Sequence, residues 1–293
     1  MCAVDEMTEL GRSGVTASVR FGGHSDRGTV RSLNEDSFLA SLPVFVVADG
    51  MGGHAFGDRA SQAAVGAFAH AFAGTTHVTA QQVLETIHLA NEAVLAATSD
   101  SGAVSGTTLS GVAFVEIGPT DSHYWMAFNV GDSRVYSWDG RHLLQLSVDH
   151  SAVQELVDLG EITRLQANTH PDRNIVTRAL GVDTVVDPDI WLLPARGRQT
   201  FLLCSDGLTK ELRDDEIARI IVFHGSQQVL ESDEPPISLA ERLVNAAVAA
   251  GGSDNVTVVI VESDLVGSSS TSSEDTVDRN AMPGFLEETK PRG

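Results

Sequence analysis

Apolar residues recur along this chain with the period of amphipathic helices. Between residues 79 and 97 they return every three or four positions, at Val83, Ile87, Ala90 and Val94. Thr79 is a predicted N-cap for this stretch, and Gln82 can serve as its partner in a capping box. Residues 58–72 are rich in alanine along one face, and residues 239–250 form a further helical stretch. We therefore predict helices in all three places.

Short runs of β-branched, aromatic and other apolar residues predict strands between these helices. Residues 107–117 and 123–130 are such runs, and residues 134–146 have the pattern of a hairpin around an Asp-Gly turn. Hairpins indicate antiparallel sheets, and helices that arrive in pairs indicate layers, so we predict an α+β sandwich with its helices outside. Residues 151–160 resemble a helix, whereas the polar, irregular residues 161–174 are interpreted as a surface flap.

Composition divides the chain into three parts. Residues 1–14 are interpreted as a flexible leader, and residues 15–264 alternate strand-like and helix-like segments without a break, as expected of one catalytic domain. Residues 265–293 are acidic and rich in serine and threonine, which predicts a disordered tail.

The net charge of −21 argues against non-specific nucleic-acid binding and against docking on anionic lipid. No apolar run is long enough to span a bilayer, and the first residues lack the apolar segment of a secretory signal. The two cysteines, Cys2 and Cys204, cannot form a disulfide framework. We therefore expect a reduced, cytoplasmic protein without a membrane segment.

Four aspartates stand beside turn-forming residues at the ends of apolar runs. They occur in the pairs Asp49-Gly50, Gly131-Asp132, Asp206-Gly207 and Asp254-Asn255. Each could simply cap a turn, where Asp and Gly are common. Carboxylates at strand ends can also converge at one sheet edge, where their mutual repulsion calls for a cation. Oxygen ligands without a nearby cysteine or histidine favour Mg²⁺ or Mn²⁺ over zinc.

Two further strings carry candidate chemistry. In residues 31–36, Arg31 precedes the adjacent acids Glu35 and Asp36, so a guanidinium that suits phosphate could stand beside a metal site. In residues 49–54, glycines surround Asp49 and allow close approach of the backbone, so the Gly50 carbonyl could itself bind a hard cation.

The ordered set of these motifs resembles the metal-dependent protein serine/threonine phosphatases of the PPM, or type 2C, family, and its bacterial members in particular. The similarity runs from about residue 23 to residue 261. The motifs are Asn34-Glu35-Asp36, Asp49-Gly50-Met51-Gly52-Gly53, Gly106-Thr107-Thr108, Gly131-Asp132-Ser133-Arg134, Ser205-Asp206-Gly207-Leu208 and Asp254-Asn255-Val256-Thr257. The resemblance implies a four-layer α-β-β-α sandwich, in which helix pairs flank two central antiparallel sheets. It also implies two Mn²⁺ or Mg²⁺ ions in a cleft at the sheet edges.

The resemblance further implies metal ligands at matching positions. Asp49 would bridge both ions, the Gly50 carbonyl would bind one of them, and Asp206 and Asp254 would hold the other. Asp132 matches an acid that supports, with Asp206, a third and weaker ion in bacterial members.

The remaining matches concern water and substrate. Glu35 and Asp36 match acids that bind metal directly or orient its waters, and Arg31 matches the phosphate-binding arginine. A water shared by two metals would become a hydroxide near neutral pH and attack phosphorus in line, without a phosphoenzyme. Met51 stands where a histidine follows the Asp-Gly pair in the eukaryotic pattern. His54 is then a candidate general acid, a metal-bound water is the alternative, and His54 could equally cap the following helix.

These features favour hydrolysis of phosphoserine and phosphothreonine in proteins, in opposition to a bacterial serine/threonine kinase, by a monomer. Two alternatives remain at this stage. One is a catalytically silent protein that binds phosphoproteins, although its acid set is intact. The other is a phosphatase restricted to small phosphate esters.

Overall fold

The computed structural model describes residues 4–10, 15–52, 56–75, 77–99, 105–118, 122–227 and 237–266. The strands within these ranges are β1 (Val4–Leu10), β2 (Val15–Asp26), β3 (Asp36–Ser41), β4 (Val44–Met51), β5 (Gly106–Thr107), β6 (Leu109–Ile117), β7 (Ser122–Val130), β8 (Arg134–Trp138), β9 (Leu143–Gln145), β10 (Asp189–Pro194), β11 (Gly197–Cys204) and β12 (Val256–Val266). The helices are α1 (Gly57–Ala71), α2 (Ala80–Thr98), α3 (Ala152–Asp158), α4 (Arg164–Ala167), α5 (Asp206–Glu211), α6 (Asp214–Gln227) and α7 (Leu239–Ala250).

Two sheets with antiparallel pairing form the centre of the fold. The first has the order β1-β2-β12-β11-β8-β9. The second has the order β10-β7-β6-β4-β3, and the short β5 pairs with β4 beside it. Neighbouring strands are often distant in sequence, so residues from both halves of the chain meet at the same sheet edges.

The first residues of β4 are apolar without interruption because both faces of this strand are covered. Successive side chains of a strand point to opposite faces. Val44 and Val46 pack in the cluster shared with α1 and α2, whereas Phe45 and Val47 pack in the cluster between the two sheets. Because both faces are covered, the usual alternation with polar residues is absent, and each large side chain contributes about 1.5–3 kcal/mol by burial.

Three apolar clusters separate four layers. One lies between α1–α2 and the second sheet, one between the two sheets, and one between the first sheet and α5, α6 and α7. The predicted four-layer α-β-β-α sandwich is therefore confirmed. No helix in the described ranges has the length and apolar character needed to cross a membrane.

Several local predictions can be compared directly with the structure. Helix α7 spans the predicted residues 239–250, and Thr79 forms the predicted capping box with Gln82. The flap predicted as irregular contains α4, which begins with a second capping box, between Thr163 and Gln166. The capping box explains the short helix, because the side chains of Thr163 and Gln166 satisfy backbone groups of a helix only one turn long.

The leader was predicted to be flexible throughout, and this is wrong for residues 4–10. They form β1, which pairs antiparallel with the first half of β2. The long β2 would otherwise present an unpaired edge there, and β1 covers its backbone donors and acceptors. Residues 267–293 of the predicted tail lie outside the described residues, and β12 continues to Val266, two residues past the predicted domain end.

Candidate metal centre

The predicted acids are carried by both sheets at neighbouring strand ends. Asp36 is the first residue of β3 and pairs in register with Asp49 near the end of β4. From the first sheet, Asp206 begins α5 and is separated from β11 only by Ser205, and Asp254 lies two residues before β12. Asp132 occupies the turn between β7 and β8. The topology thus brings five carboxylates from distant parts of the chain towards one end of the sandwich.

Electrostatic effects show that these acids are close neighbours. Desolvation by the surrounding protein, followed by the charges of Asp36, Asp206 and Asp132, raises the pKa of Asp49 well above its usual value. Burial also raises the pKa of Asp36 and of Asp132 to about 7, and the Asp206 charge contributes to both shifts. Like charges within a few ångströms oppose one another's ionisation. The cluster therefore holds more negative charge than the protein alone can stabilise.

Asp36 is fixed through only one of its carboxylate oxygens. The hydroxyls of Ser205 and Thr257 each donate to Asp36 Oδ2 over 2.7 Å. Ser205 Oγ also accepts from the Thr257 backbone amide over 3.0 Å, which ties the ends of β11 and β12 together. The other oxygen, Asp36 Oδ1, is buried and has no hydrogen-bond partner in the described part of the chain.

Three acids of this cluster carry such buried oxygens without a described partner: Glu35 Oε1, Asp36 Oδ1 and Asp206 Oδ1. Buried acceptors normally find a donor, because an unpaired polar group in the interior is costly. Carboxylate oxygens are also the ligands that Mg²⁺ and Mn²⁺ prefer. The residues present therefore fit the divalent ions that the sequence predicts.

Two protein cations occupy part of the cluster. Lys210 Nζ lies 2.5 Å from Asp206 Oδ2 and 2.7 Å from Asp254 Oδ2. Arg31 binds both oxygens of Asp254, with Nε 2.8 Å from Oδ1 and Nη2 2.8 Å from Oδ2. Burial opposes ionisation of Asp254, but Lys210, the Asn255 amide and Arg31 together hold its pKa below the usual value. Among the residues that the structure describes, no group of three acids, histidines or cysteines forms a ready cage for an ion.

Glycine is required where Asp49 meets the start of α1. A Cβ on Gly50 would collide with the Gly57 carbonyl and with the Glu35 backbone. The Gly50 amide also donates to the Glu35 carbonyl over 3.2 Å. This close packing holds Glu35 beside the Asp49-Gly50 turn. It also leaves the Gly50 carbonyl close to that acid, as a metal site using both would need.

The turn that carries Asp132 is held by side chains that sequence reasoning did not connect with it. Gly131 adopts a φ of 110°, and its amide donates to His150 Nδ1 over 3.0 Å. Its carbonyl accepts from the His150 amide and from Asn129 Nδ2, each over 2.9 Å. His150 Nε2 lies 3.2 Å from Asp189 Oδ2. His150 therefore has a structural role, because it holds the turn that carries Asp132.

Asn255 is a second residue whose role was missed. Its Nδ2 donates to the Arg27 and Leu33 carbonyls, each over 2.9 Å, and its Oδ1 accepts from the Glu35 amide over 2.9 Å. These bonds tie the loop of residues 27–35, which includes Arg31, to the start of β12. The Asp254-Asn255 pair is the signal in the sequence that points to this residue.

The structure brings together Glu35, Asp36, Asp49, Asp132, Asp206, Asp254 and Arg31, with the Gly50 backbone beside them. His54 lies outside the described residues. Lys210 was missed altogether, although its spacing of four residues from Asp206 in a helix places the two side chains together.

Comparison with known proteins decides the family. Residues 24–246 match the model for protein phosphatase 2C. The chain belongs to the protein phosphatase 2C family. This membership confirms the resemblance inferred from the ordered motifs, and with it the predicted class of enzyme.

Individual family members agree with this assignment. The serine/threonine phosphatase stp of Listeria monocytogenes serovar 1/2a is 38% identical over 253 residues, covering 82% of this chain and 94% of that protein. PstP of Mycobacterium tuberculosis H37Rv is 36% identical over 251 residues, covering 85% of this chain and 46% of that protein.

Solved structures of phosphatase 2C relatives share the fold. The catalytic domain of PstP, determined with two manganese ions, matches with a TM-score of 0.70 and 33% identity, covering 86% of this chain and 100% of that one. The PPM Ser-Thr phosphatase MsPP from Mycobacterium smegmatis, in complex with cacodylate, also has a TM-score of 0.70, with 35% identity over 82% of this chain and 97% of that one.

Proposed function

We propose that the carboxylate cluster between the two sheets is the metal and phosphate site of this enzyme. The chain is a metal-dependent protein serine/threonine phosphatase that uses Mn²⁺ or Mg²⁺. The observation that carries the assignment of the site is the set of buried, mutually repelling acids, of which Glu35, Asp36 and Asp206 each have an oxygen without a hydrogen-bond donor among the described residues. Such a set needs positive charge that the described residues supply only in part.

Asp49, the Gly50 carbonyl, Asp206 and Asp254 would hold two ions, and Asp132 would support a third with Asp206. When bound, the ions act as Lewis acids and lower the pKa of a water towards neutrality, which provides the nucleophile. Asp49 suits a central position because it interacts with acids from both sheets. No covalent phosphoenzyme is required, so no side chain is assigned as nucleophile.

Asp36 would serve as the acid that orients the attacking water. Its Oδ2 is already held by the Ser205 and Thr257 hydroxyls, so the carboxylate cannot rotate freely. The remaining oxygen, Oδ1, is then available in a fixed direction. Glu35 would share this role, because its backbone is fixed by Asn255 while its Oε1 lacks a described partner. Fixed acceptors of this kind lower the entropic cost of positioning water.

Arg31 would bind the phosphate of the substrate. Its side chain is 49% exposed, so it can reach a ligand arriving from solvent. A guanidinium matches two phosphate oxygens at once and offsets the charge on them as the ester bond breaks. In the present arrangement the same donors bind Asp254. Arg31 would therefore leave Asp254 before it binds the phosphate.

The leaving serine or threonine oxygen requires a proton. His54, which follows the Gly-rich turn after Asp49, is one candidate donor, and a water is the other. We further infer that the enzyme is a cytoplasmic monomer that opposes a serine/threonine kinase. The cysteine usage supports the compartment, since two cysteines are too few for a disulfide framework.

The test is hydrolysis of a phosphothreonine peptide with Mn²⁺, with EDTA, and with Mn²⁺ for Asp206→Asn. We expect turnover only with metal, and a loss of about a thousandfold or more in the variant. Asp215→Asn is the matched control, because Asp215 is an exposed acid of α6 that pairs with surface arginines. Turnover that survives both EDTA and Asp206→Asn would refute the site. Cleavage of p-nitrophenyl phosphate but no phosphopeptide would favour an enzyme for small esters.

A further inference from the structure

Lysine is rare in this chain, and one lysine lies in the metal centre. The sequence contains two lysines, Lys210 and Lys290, whereas its other cationic side chains are arginines. Lys210 lies in α5, four residues after Asp206, so the helix places the two side chains on the same face. A lysine that served only to make the surface soluble would not need this contact with Asp206.

Lys210 contacts two carboxylates rather than one. Its Nζ lies 2.5 Å from Asp206 Oδ2 and 2.7 Å from Asp254 Oδ2, and these acids come from different elements of the first sheet's edge. Its positive charge also favours the ionised forms of Asp49 and Asp132. The ammonium therefore serves as a counter-charge shared by four acids.

Each carboxylate oxygen of Asp254 already accepts from two donors. Its Oδ1 accepts from Arg31 Nε over 2.8 Å and from the Asn255 amide over 2.9 Å. Its Oδ2 accepts from Arg31 Nη2 over 2.8 Å and from Lys210 Nζ over 2.7 Å. A divalent ion that binds Asp206 and Asp254 must take oxygens that Lys210 holds.

We propose that Lys210 is an internal counter-cation that competes with the metal for Asp206 and Asp254, and so sets the metal affinity of the centre. This inference rests on the proposed function of these acids as ligands. An ammonium and a divalent ion on the same carboxylates repel each other strongly in a desolvated site. The Lys210 side chain is 29% exposed, and its flexible stem lets the ammonium move into solvent when an ion arrives.

The competition gives Lys210 two opposite effects. Without metal, it stabilises the fold by offsetting the charge of buried acids. With metal, it costs affinity, because the contacts to Asp206 and Asp254 must be broken before the ion binds. Hydrogen bonds between charged groups are strong enough for their loss to change affinity by about tenfold or more.

The first experiment uses the wild-type chain and labels its amines with acetic anhydride, followed by mass spectrometry. Lys290 serves as the reference amine in the same sample. We expect Mn²⁺ to increase the labelling rate of Lys210 several-fold relative to Lys290, compared with EDTA. Unchanged or slower labelling of Lys210 while Mn²⁺ is bound would overturn the proposal, since the ammonium would then stay inside the site and not move into solvent.

The second experiment measures Mn²⁺ binding by isothermal titration calorimetry. Lys210→Gln and Lys210→Met should bind Mn²⁺ about tenfold more tightly than wild type, and both should melt at a lower temperature in EDTA. Lys210→Arg, which keeps a cation, should stay close to wild type. Arg213→Gln is the matched control, because it changes the net charge equally but Arg213 pairs only with Asp215 and Glu216 among the described acids.

Equal or weaker Mn²⁺ binding by Lys210→Gln and Lys210→Met would overturn the competition. A wild type that binds no Mn²⁺ would instead refute the proposed metal centre, and the competition with it. The labelling and binding measurements do not depend on catalysis. A failure of Lys210 to compete is thereby distinguished from a failure of the site to hold metal.

Discussion

The two sheets contribute acids of the same type to one centre, but they stabilise these acids differently. On the second sheet, Asp36 and Asp49 pair across β3 and β4 with no described cation in contact, and the pKa of each is raised, chiefly by desolvation. On the first sheet, Asp254 contacts Lys210 and Arg31, and its pKa is lowered despite desolvation. Among the described residues, one side of the cluster thus has no cation in contact, whereas under our proposal the other side would release its cations before a metal binds.

This difference implies that a carboxylate can be essential for function and harmful to the metal-free fold. Buried charge without a partner destabilises the native state, while removal of one partner from a paired site leaves the other partner unsatisfied. Asp49, whose ionisation burial and its acidic neighbours oppose, resembles the first situation, and Asp254 is in the second. Substitutions that only remove charge should therefore separate the two sides.

The largest effect is expected from Asp49→Asn compared with Asp254→Asn. Both should lower phosphopeptide turnover with Mn²⁺ by about a thousandfold, because both remove a proposed ligand. The two substitutions should change the melting temperature in EDTA at pH 8 in opposite directions. Asp49→Asn should raise the melting temperature by removing an acid whose ionisation burial and its acidic neighbours oppose, and Asp254→Asn should lower it by leaving Lys210 and Arg31 without their shared partner. The comparison would fail if both variants moved in the same direction.

An intermediate effect is expected from pH. The pKa of Asp36 and of Asp132 is raised to about 7, so the native state binds protons more tightly than the unfolded chain. Their stabilising contribution is complete below the unfolded value of about 4 and is lost as the pH rises through the folded value. The melting temperature in EDTA should therefore fall between about pH 4 and pH 7, as followed by circular dichroism.

Two controls sharpen this pH dependence. Saturating Mn²⁺ should flatten it, since the ion stabilises the ionised acids, and Asp36→Asn should reduce the slope in EDTA. Asp254 has the opposite dependence because its pKa is lowered, so its contribution is lost on acidification instead. A melting temperature that rises steadily across this window in EDTA would contradict the raised pKa of Asp36 and Asp132.

The smallest effect is expected from Thr257→Val. It removes one of the two hydroxyls that hold Asp36 Oδ2 but preserves the shape of a fully buried side chain. The free energy of unfolding in EDTA should fall by about 1–3 kcal/mol, as measured by urea denaturation. Thr257→Ser keeps the hydroxyl and should restore most of the hydrogen-bond contribution. An unchanged free energy of unfolding in Thr257→Val would show that the hydroxyl bond to Asp36 contributes nothing, because this variant loses the hydroxyl but keeps the methyl group.

Local sequence patterns predicted the elements that carry their own signals. Helix α7 begins after Ser238, whose hydroxyl accepts from the Glu241 amide, and is followed by its C-cap Gly251, so both ends are specified locally. The capping box of α2 is equally local. Strand β1 has no such signal, because it depends on the unpaired edge of β2 that only the tertiary fold provides.

The candidate site divides in the same way. Its acids could be predicted because each follows or precedes an apolar strand, and strand ends meet at a sheet edge. The partners of these acids could not. Whether Lys210 reaches Asp254 depends on how α5 packs beside β12, and the link between His150 and Gly131 joins residues that sequence reasoning treated separately.

The register between β3 and β4 has a consequence for how this centre can change over evolution. The hairpin turns at residues 42–43, and Asp36 and Asp49 face each other at its open end, five pairing steps from the turn pair Ser41 and Val44. At about 3.3 Å per residue, the turn lies roughly 17 Å from the acids. A strand that slips by one residue turns every side chain to the opposite face. A single-residue insertion in this turn could therefore separate Asp36 from Asp49 without altering either, which makes turn length a constraint on the chemistry at the far end.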